Sequence, residues 1–184
     1  MKIWFTADPH FGHKKVIEYC ARPFESVEEM DSEMIHRWNE RVKDGDEVFV
    51  LGDFSFSGAV RTAEILAQLK GRKVLVQGNH DHWKPEKYKR LGFHEVHPWL
   101  QWGERSTGIL LSHFPYRGEE LDDRTFAGQF VDDGGWLLHG HVHQGWKVNK
   151  RMINVGVDQW AFAPVSFEEI REILEAPTNN EGGK

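Results

Sequence analysis

Asn79, His80 and Asp81 stand together behind Gly78, at the end of the apolar run from Lys73 to Gln77. Three such side chains at a strand end each need a hydrogen-bond partner if buried. The glycine lets the backbone turn and approach another group closely. Four other apolar runs end in kind. Ile3 to Ala7 leads into Asp8 and His10, Val48 to Leu51 into Asp53, Ile109 to Leu111 into His113, and Trp136 to Leu138 into His141 and His143. A polar turn accounts for one such ending but not for five. Ligands of open α/β sheets bind beyond the carboxyl ends of the strands, so these donors are expected to form one cluster. Oxygen and imidazole donors without thiolate suit divalent Mn, Fe, Co, Ni or Zn. Asp8, His10, Asp53, Asn79, His113, His141 and His143 are too many for a single four-coordinate structural zinc. They suit two ions about 3.5–4 Å apart, as in two-metal hydrolytic sites. Such a pair needs a bridging anionic oxygen, and Asp53 is the candidate.

The elements that must carry these residues are legible from period and punctuation. Strands are expected at 2–7, 47–51, 73–77, 108–112 and 136–138. Residues 93–100 read as a strand interrupted by Pro98, and 144–148 with 151–157 as a paired excursion and return. Helices are expected over 14–20 and from Ser26 to about Val42, where Met30, Met34, Trp38 and Val42 form an apolar stripe. A third helix covers 59–70 and stops at Gly71, and a short one falls within 82–92. Ser26 with Glu29, and Ser166 with Glu169, have capping-box spacing, the second opening a helix that runs to about Ala176. Residues 114–135 form a long connection. One domain over 1–176 and a frayed tail over 177–184 are expected.

The 184-residue length and the 39% hydrophobic content, with eight Trp and twelve Phe, provide for a full core and argue against disorder. A formal charge of −6 argues against a broad basic face for duplex nucleic acid, so extended nucleic-acid binding is not expected. The single cysteine, Cys20, excludes an internal disulfide and fits a reducing compartment. The apolar run at Ile3-Trp4-Phe5 is too short for a signal peptide or membrane span, so a cytoplasmic protein without membrane attachment is expected.

Taken in order, Asp8-x-His10, Gly52-Asp53, Gly78-Asn79-His80-Asp81, His113 and Gly140-His141-x-His143 resemble the signature blocks of the calcineurin-like metallophosphoesterase superfamily. The resemblance implies a four-layer αββα sandwich, two mixed sheets face to face with helices outside. It implies that Asp8, His10, Asp53 and His143 hold one metal, and Asp53, Asn79, His113 and His141 the other, with manganese favoured. His80 becomes the catalytic imidazole and Asp81 the group that orients it. The implied reaction is phosphoester hydrolysis by a hydroxide bridging two divalent ions, with His80 protonating the leaving oxygen.

Other residues have weaker claims. His13 is a candidate contact for the substrate phosphate, and Arg117 a candidate phosphate clamp. Arg22 would reach substrate or cap a helix. His82-Trp83 and Tyr116 would stack on a base or pack in the core. His139 reads as a packed core histidine, and Asn154, Gly156 and Asp158 as support behind the ligands. His36, His94 and His97 lie outside the ligand blocks. Thirty-three residues separate Asn79 from His113 and 27 separate His113 from His141, too few for a cap domain, so the cleft is expected to be open. That favours a small or exposed phosphodiester. A phosphomonoesterase, acting even on phosphoprotein, a nuclease and a metal-bound scaffold without catalysis are the alternatives, and the sequence does not fix an oligomeric state.

Overall fold

The computed structural model describes residues 1–103, 108–117 and 130–176. Two mixed five-stranded sheets face each other. The first contains β1 (Ile3–Thr6), β2 (Glu47–Val50), β3 (Arg72–Val76), β4 (Glu95–His97) and, numbered in chain order, β10 (Val165–Ser166). Its order is β10-β1-β2-β3-β4, parallel except for β10. The second contains β5 (Leu100–Trp102), β6 (Ile109–Leu111), β7 (Leu137–His139), β8 (Val148–Asn149) and β9 (Met152–Asn154), in the order β5-β6-β7-β9-β8. Its three central strands are parallel and its two outer strands antiparallel.

Alternation along the strands decides which layer each residue joins. Phe5, Ala7, Phe49, Leu51, Val74 and Val76 face the second sheet and pack with Ile109, Leu111, Leu138, Ile153 and Val155. Trp4, Val48, Val50 and Leu75 face the other way, onto the helices. Both faces of the first sheet are therefore apolar, which is why its strands read as unbroken hydrophobic runs. Helices α1 (Lys14–Tyr19), α2 (Val27–Arg41), α3 (Ala59–Gln68) and α4 (Pro85–Leu91) cover that outer face, α2 through Met30, Met34 and Trp38. Helix α5 (Phe167–Glu175) buries Ile170 into the layer between the sheets, beside β1 and β10. No described helix is long and apolar enough to cross a membrane.

Four details differ from the sequence reading. The stretch around Pro98 is two strands, with β4 in the first sheet and β5 in the second; proline, lacking an N–H, sits where the chain changes sheets. β10 pairs with β1 through two residues, too few for a periodic signal. Of the expected 144–148 strand only Val148 is in strand form, together with Asn149 in β8 ahead of the hairpin return. The box at α2 is half made: Ser26 Oγ accepts from Glu29 N–H at 3.1 Å, but the Glu29 carboxylate reaches Glu25 N–H, at 2.7 Å. At α5 both halves are present. Residues 118–129 of the long connection, and the tail 177–184, lie outside the described residues.

Register sets the level at which the strands finish. Thr6 pairs with Val50 and Val50 with Leu75, while Leu111 pairs with Leu138 and Leu138 with Ile153. A parallel bridge between Ala7 and Gly156 ties the two sheets together at this end. The carboxyl ends of five strands thus open onto one place.

Candidate metal centre

The backbone changes character where the strands end. Asp8, His10, Asp53, His141 and His143 all adopt left-handed conformations, with φ of 54°, 52°, 53°, 71° and 46°. Each such non-glycine residue costs on the order of 1–3 kcal/mol, with Asp and His at the low end. Five in one cluster approach the net stability of a small domain, about 5–15 kcal/mol. Packing alone gives no reason for that concentration, because helices and sheet are complete without it. The turns aim carboxylates and imidazoles inward. A Cβ at Gly78 would collide with Asp53 Oδ1 and with its backbone nitrogen, and one at Gly140 would collide with Asp8 Oδ2 and Ala7 Cβ. The two motif glycines are there for close approach.

Asp53 lies at the centre, and its Oδ2 is 3.7 Å from His10 Nε2 and 3.5 Å from His113 Nε2. Its Oδ1 accepts the His80 N–H at 2.9 Å. On one side, Asp8, His10 and His143 bring ligand atoms within 4.8 Å of one another. Asp8 Oδ1 and both ring nitrogens of His10 are buried without hydrogen-bond partners. Leaving a buried polar atom unpaired costs roughly 1–3 kcal/mol. On the other side, His113 Nδ1 donates to Leu51 O at 2.8 Å, which leaves its Nε2 lone pair facing inward. That lone pair meets Asn79 Oδ1 at 2.9 Å and His141 Nδ1 at 3.3 Å, besides Asp53. Imidazole nitrogens, an amide oxygen and a carboxylate gathered this closely offer a cation a ready set of lone pairs. The donor set therefore fits divalent metal, with Asp53 placed to bridge.

Protonation follows from burial. Burial lifts the Asp8 carboxyl to about 6, against the pull of His113 and His143. Burial also drives His10 strongly down, helped by neighbouring His143 and Arg22, and brings His141 to about 4. Neutral imidazoles are the form that ligates metal. Burial opposes charge on His143 too, but the Asp158 and Cys20 hydrogen bonds and the Asp8 charge raise it to about 10. Its Nδ1 lies 3.1 Å from Asp158 Oδ2, so the other nitrogen, Nε2, is the one that could ligate a metal.

Asp158 is held by Arg22, which is almost fully buried. The guanidinium donates to both Asp158 oxygens at 2.8 and 2.9 Å, to Asp8 O at 2.7 Å and to Pro9 O at 2.9 Å. Arg22 thus neither reaches substrate nor caps a helix: it locks the strained Asp8–Pro9 backbone to the carboxylate behind His143. Asn154 supports from the same side, donating to His143 O at 2.8 Å and Trp146 O at 2.9 Å.

Asp81 also corrects the sequence reading. Its Oδ2 accepts from Asp53 N–H at 2.8 Å and Gly78 N–H at 2.9 Å, and its Oδ1 from Phe54 N–H and Tyr88 Oη at 3.3 Å. The carboxylate clamps two ligand loops together and does not touch the His80 ring. His80 itself stands at the rim, with 42% of its side chain exposed and Nε2 3.9 Å from Asp53 Oδ2. His13 begins α1 at the same rim, its ring stacked on Phe56 with centroids 3.9 Å apart. Arg117 is exposed, and its N–H donates to Phe130 O. Tyr116 is buried, with its hydroxyl 3.3 Å from Gly135 O, so it packs in the core. His139 is a core histidine as expected: its Nδ1 donates to Gly140 O at 2.7 Å and its ring packs on Trp146. Phe56, exposed beside His10, His13 and His80, gave no signal in the sequence beyond its place three residues after Asp53.

Residues 1–165 match the calcineurin-like phosphoesterase superfamily domain. The chain is 32% identical over 183 residues to an uncharacterized protein of Methanocaldococcus jannaschii, covering 95% of this chain and 92% of that one. It is likewise 32% identical over 206 residues to the Gene 66 protein of Mycobacterium phage L5, covering 97% of each. Among solved structures, a protein of unknown function from Aquifex aeolicus superposes with a TM-score of 0.72 at 25% identity, over 94% of this chain and 98% of that one.

Proposed function

Since the chain belongs to the calcineurin-like phosphoesterase superfamily, whose members are metal-dependent phosphoesterases, we propose that this one is a phosphodiesterase for small or exposed phosphodiesters. The observation that carries the chemistry is the convergence of Asp53, Asn79 and His141 ligand atoms around His113 Nε2, beside Asp8 Oδ1 and the His10 ring nitrogens, which are buried without hydrogen-bond partners. Asp8, His10, Asp53 and His143 would hold one ion and Asp53, Asn79, His113 and His141 the second, manganese being the first choice. A bound pair of divalent ions supplies Lewis acidity and a water of lowered pKa. His80 meets the requirements of a proton donor to the leaving oxygen: it is exposed at the rim, yet its Nε2 stays near the bridging carboxylate. Asp81 and Arg22 act as positioning residues, through the loops that bear Asp53 and Asp8.

Preference for a diester is supported by the rim and by the charge inventory. Asn79 and His80 are exposed, so a substrate with groups on both sides of phosphorus can lie across the site. Among the described residues, the one guanidinium buried beneath it, Arg22, is committed to Asp158 and to backbone carbonyls. A monoester dianion would gain most from such a cation. The test is the rate on bis-nitrophenyl phosphate against nitrophenyl phosphate, with Mn²⁺ supplied. Faster turnover of the diester is expected; faster turnover of the monoester would make the protein a phosphomonoesterase, and no turnover of either would leave a metal-bound scaffold.

A further inference from the structure

His80 also lines a cavity of about 170 Å³ whose other walls include none of the expected metal ligands. Phe56, Trp83 and Tyr88 form its aromatic walls, Ser55 and Ser57 contribute hydroxyl-bearing positions, and His80 is the wall it shares with the metal centre. Two aromatic rings in this corner keep surface exposed. Phe56 is 40% exposed although large, and its ring lies 4.7 Å from that of His80. Trp83 is only half buried, packed on Tyr88 at 5.4 Å with the Lys87 ammonium 3.8 Å from its ring centroid. Exposed aromatic surface beside a reactive group is surface available to a ligand. The volume is below the roughly 300–1,000 Å³ of pockets that enclose a whole drug-sized molecule, so it suits one ring system.

We propose that this cavity is the leaving-group subsite, and that it takes a planar aromatic ring, that of an aryl alcohol or a nucleoside base; the proposal rests on the phosphodiesterase reading above. Position decides which side of the phosphodiester enters it. The proton from His80 must go to the oxygen that departs, and the cavity adjoins His80. In the reaction a P–O bond forms to the oxygen of water and the P–O bond to the aromatic alcohol breaks. His80 supplies the proton to that alcohol, water's proton returns to the site, and the products are the free alcohol and a monoester of the other group. Aromatic walls with a few polar groups hold a ring by stacking or edge contact without reading its identity.

The test uses three diesters that share a methyl group on the retained side and carry nitrophenyl, a 5′-linked nucleoside or trifluoroethyl on the other, with Mn²⁺ supplied to native protein, Phe56→Ala and Trp83→Ala. Trp83→Ala is expected to lose roughly 5- to 150-fold in kcat/KM on the two aromatic diesters, mainly through KM, and to stay within about twofold on the trifluoroethyl diester. Phe56→Ala, whose ring also packs on His10 and His80, is expected to lose activity on all three and more on the aromatic pair. A response on only one aromatic diester identifies that ring as the occupant. The nucleoside diester should yield nucleoside and methyl phosphate. Equal losses on all three, or nucleotide and methanol as products, would overturn the subsite while leaving the phosphoesterase intact. A readout without turnover separates the two failures: saturation transfer from metal-free protein to nitrophenol, expected for native protein and lost in Trp83→Ala. Its absence from native protein would refute the subsite whatever the kinetics, and its presence with no turnover of any diester would refute the phosphoesterase reading instead.

Discussion

Replacing Arg22 by methionine tests whether the metal centre is held from beneath. The guanidinium and Asp158 are buried to within a few per cent, and four hydrogen bonds of 2.7–2.9 Å radiate from Arg22. Methionine fills similar length but donates nothing. Asp158 keeps only the His143 contact at 3.1 Å, and the carbonyls of Asp8 and Pro9 lose their donors. Breaking one side of a buried pair costs about 3–5 kcal/mol, because the surviving charge stays desolvated. Burial works against charge on Asp158, yet hydrogen bonds from His143 and Arg22 hold its carboxyl below the ordinary 3.8. A depressed carboxyl contributes stability above the unfolded value and loses it as pH falls through the folded one, so the cost should be full at pH 7. Urea unfolding of metal-free protein should show Arg22→Met destabilised by about 3–5 kcal/mol, and the double variant Arg22→Met with Asp158→Leu should recover more than about 1 kcal/mol relative to the sum of the singles. Metal affinity should weaken in Arg22→Met, since Asp8 at φ 54° loses its anchor. A loss below about 1 kcal/mol, or additive losses, would refute the reasoning.

His80→Ala should retain two metal equivalents while turnover falls about 10²–10⁴-fold, more for alkyl than for nitrophenyl leaving groups; equal losses would remove the proton-donor role. Gly140→Ala places a methyl against Asp8 Oδ2 and Ala7 Cβ, and should cost about 1–3 kcal/mol in urea unfolding along with weaker metal retention; unchanged unfolding would show that the turn relaxes freely. Burial lowers His139 from 6.5 to about 3, so its contribution is present above 6.5 and lost as pH falls toward 3. The unfolding midpoint of metal-free protein should therefore drop between pH 7.5 and 5 less steeply in His139→Gln, by about one proton in the slope; identical slopes would mean that the ring protonates without unfolding cost.

The strand ends were readable because each carries its own local mark: an apolar run, then Asp, Asn or His. The apolar stripe of α2 and the Ser166 box were readable for the same reason, since period and capping are local properties. What escaped is held over distance. Arg22 and Asp158 are 136 residues apart, and nothing in Ala-Arg-Pro-Phe distinguishes a buried guanidinium from a surface one. Asp81, adjacent to His80 in sequence, turns its carboxylate to Asp53 and Phe54, 28 and 27 residues away. Its neighbourhood suggested an orienting partner for the imidazole; the orphan N–H groups of two tight turns claimed it instead. Pro98 marked an interruption without revealing that the chain changes sheets there. The exposure of Phe56 is a property of the assembled rim, invisible until His10, His13 and His80 surround it.

Anomalous diffraction from crystals grown with manganese tests the central claim most directly. Two ions are expected, flanking Asp53, one among Asp8, His10 and His143 and the other among Asn79, His113 and His141. One ion, or two that Asp53 does not join, would contradict it.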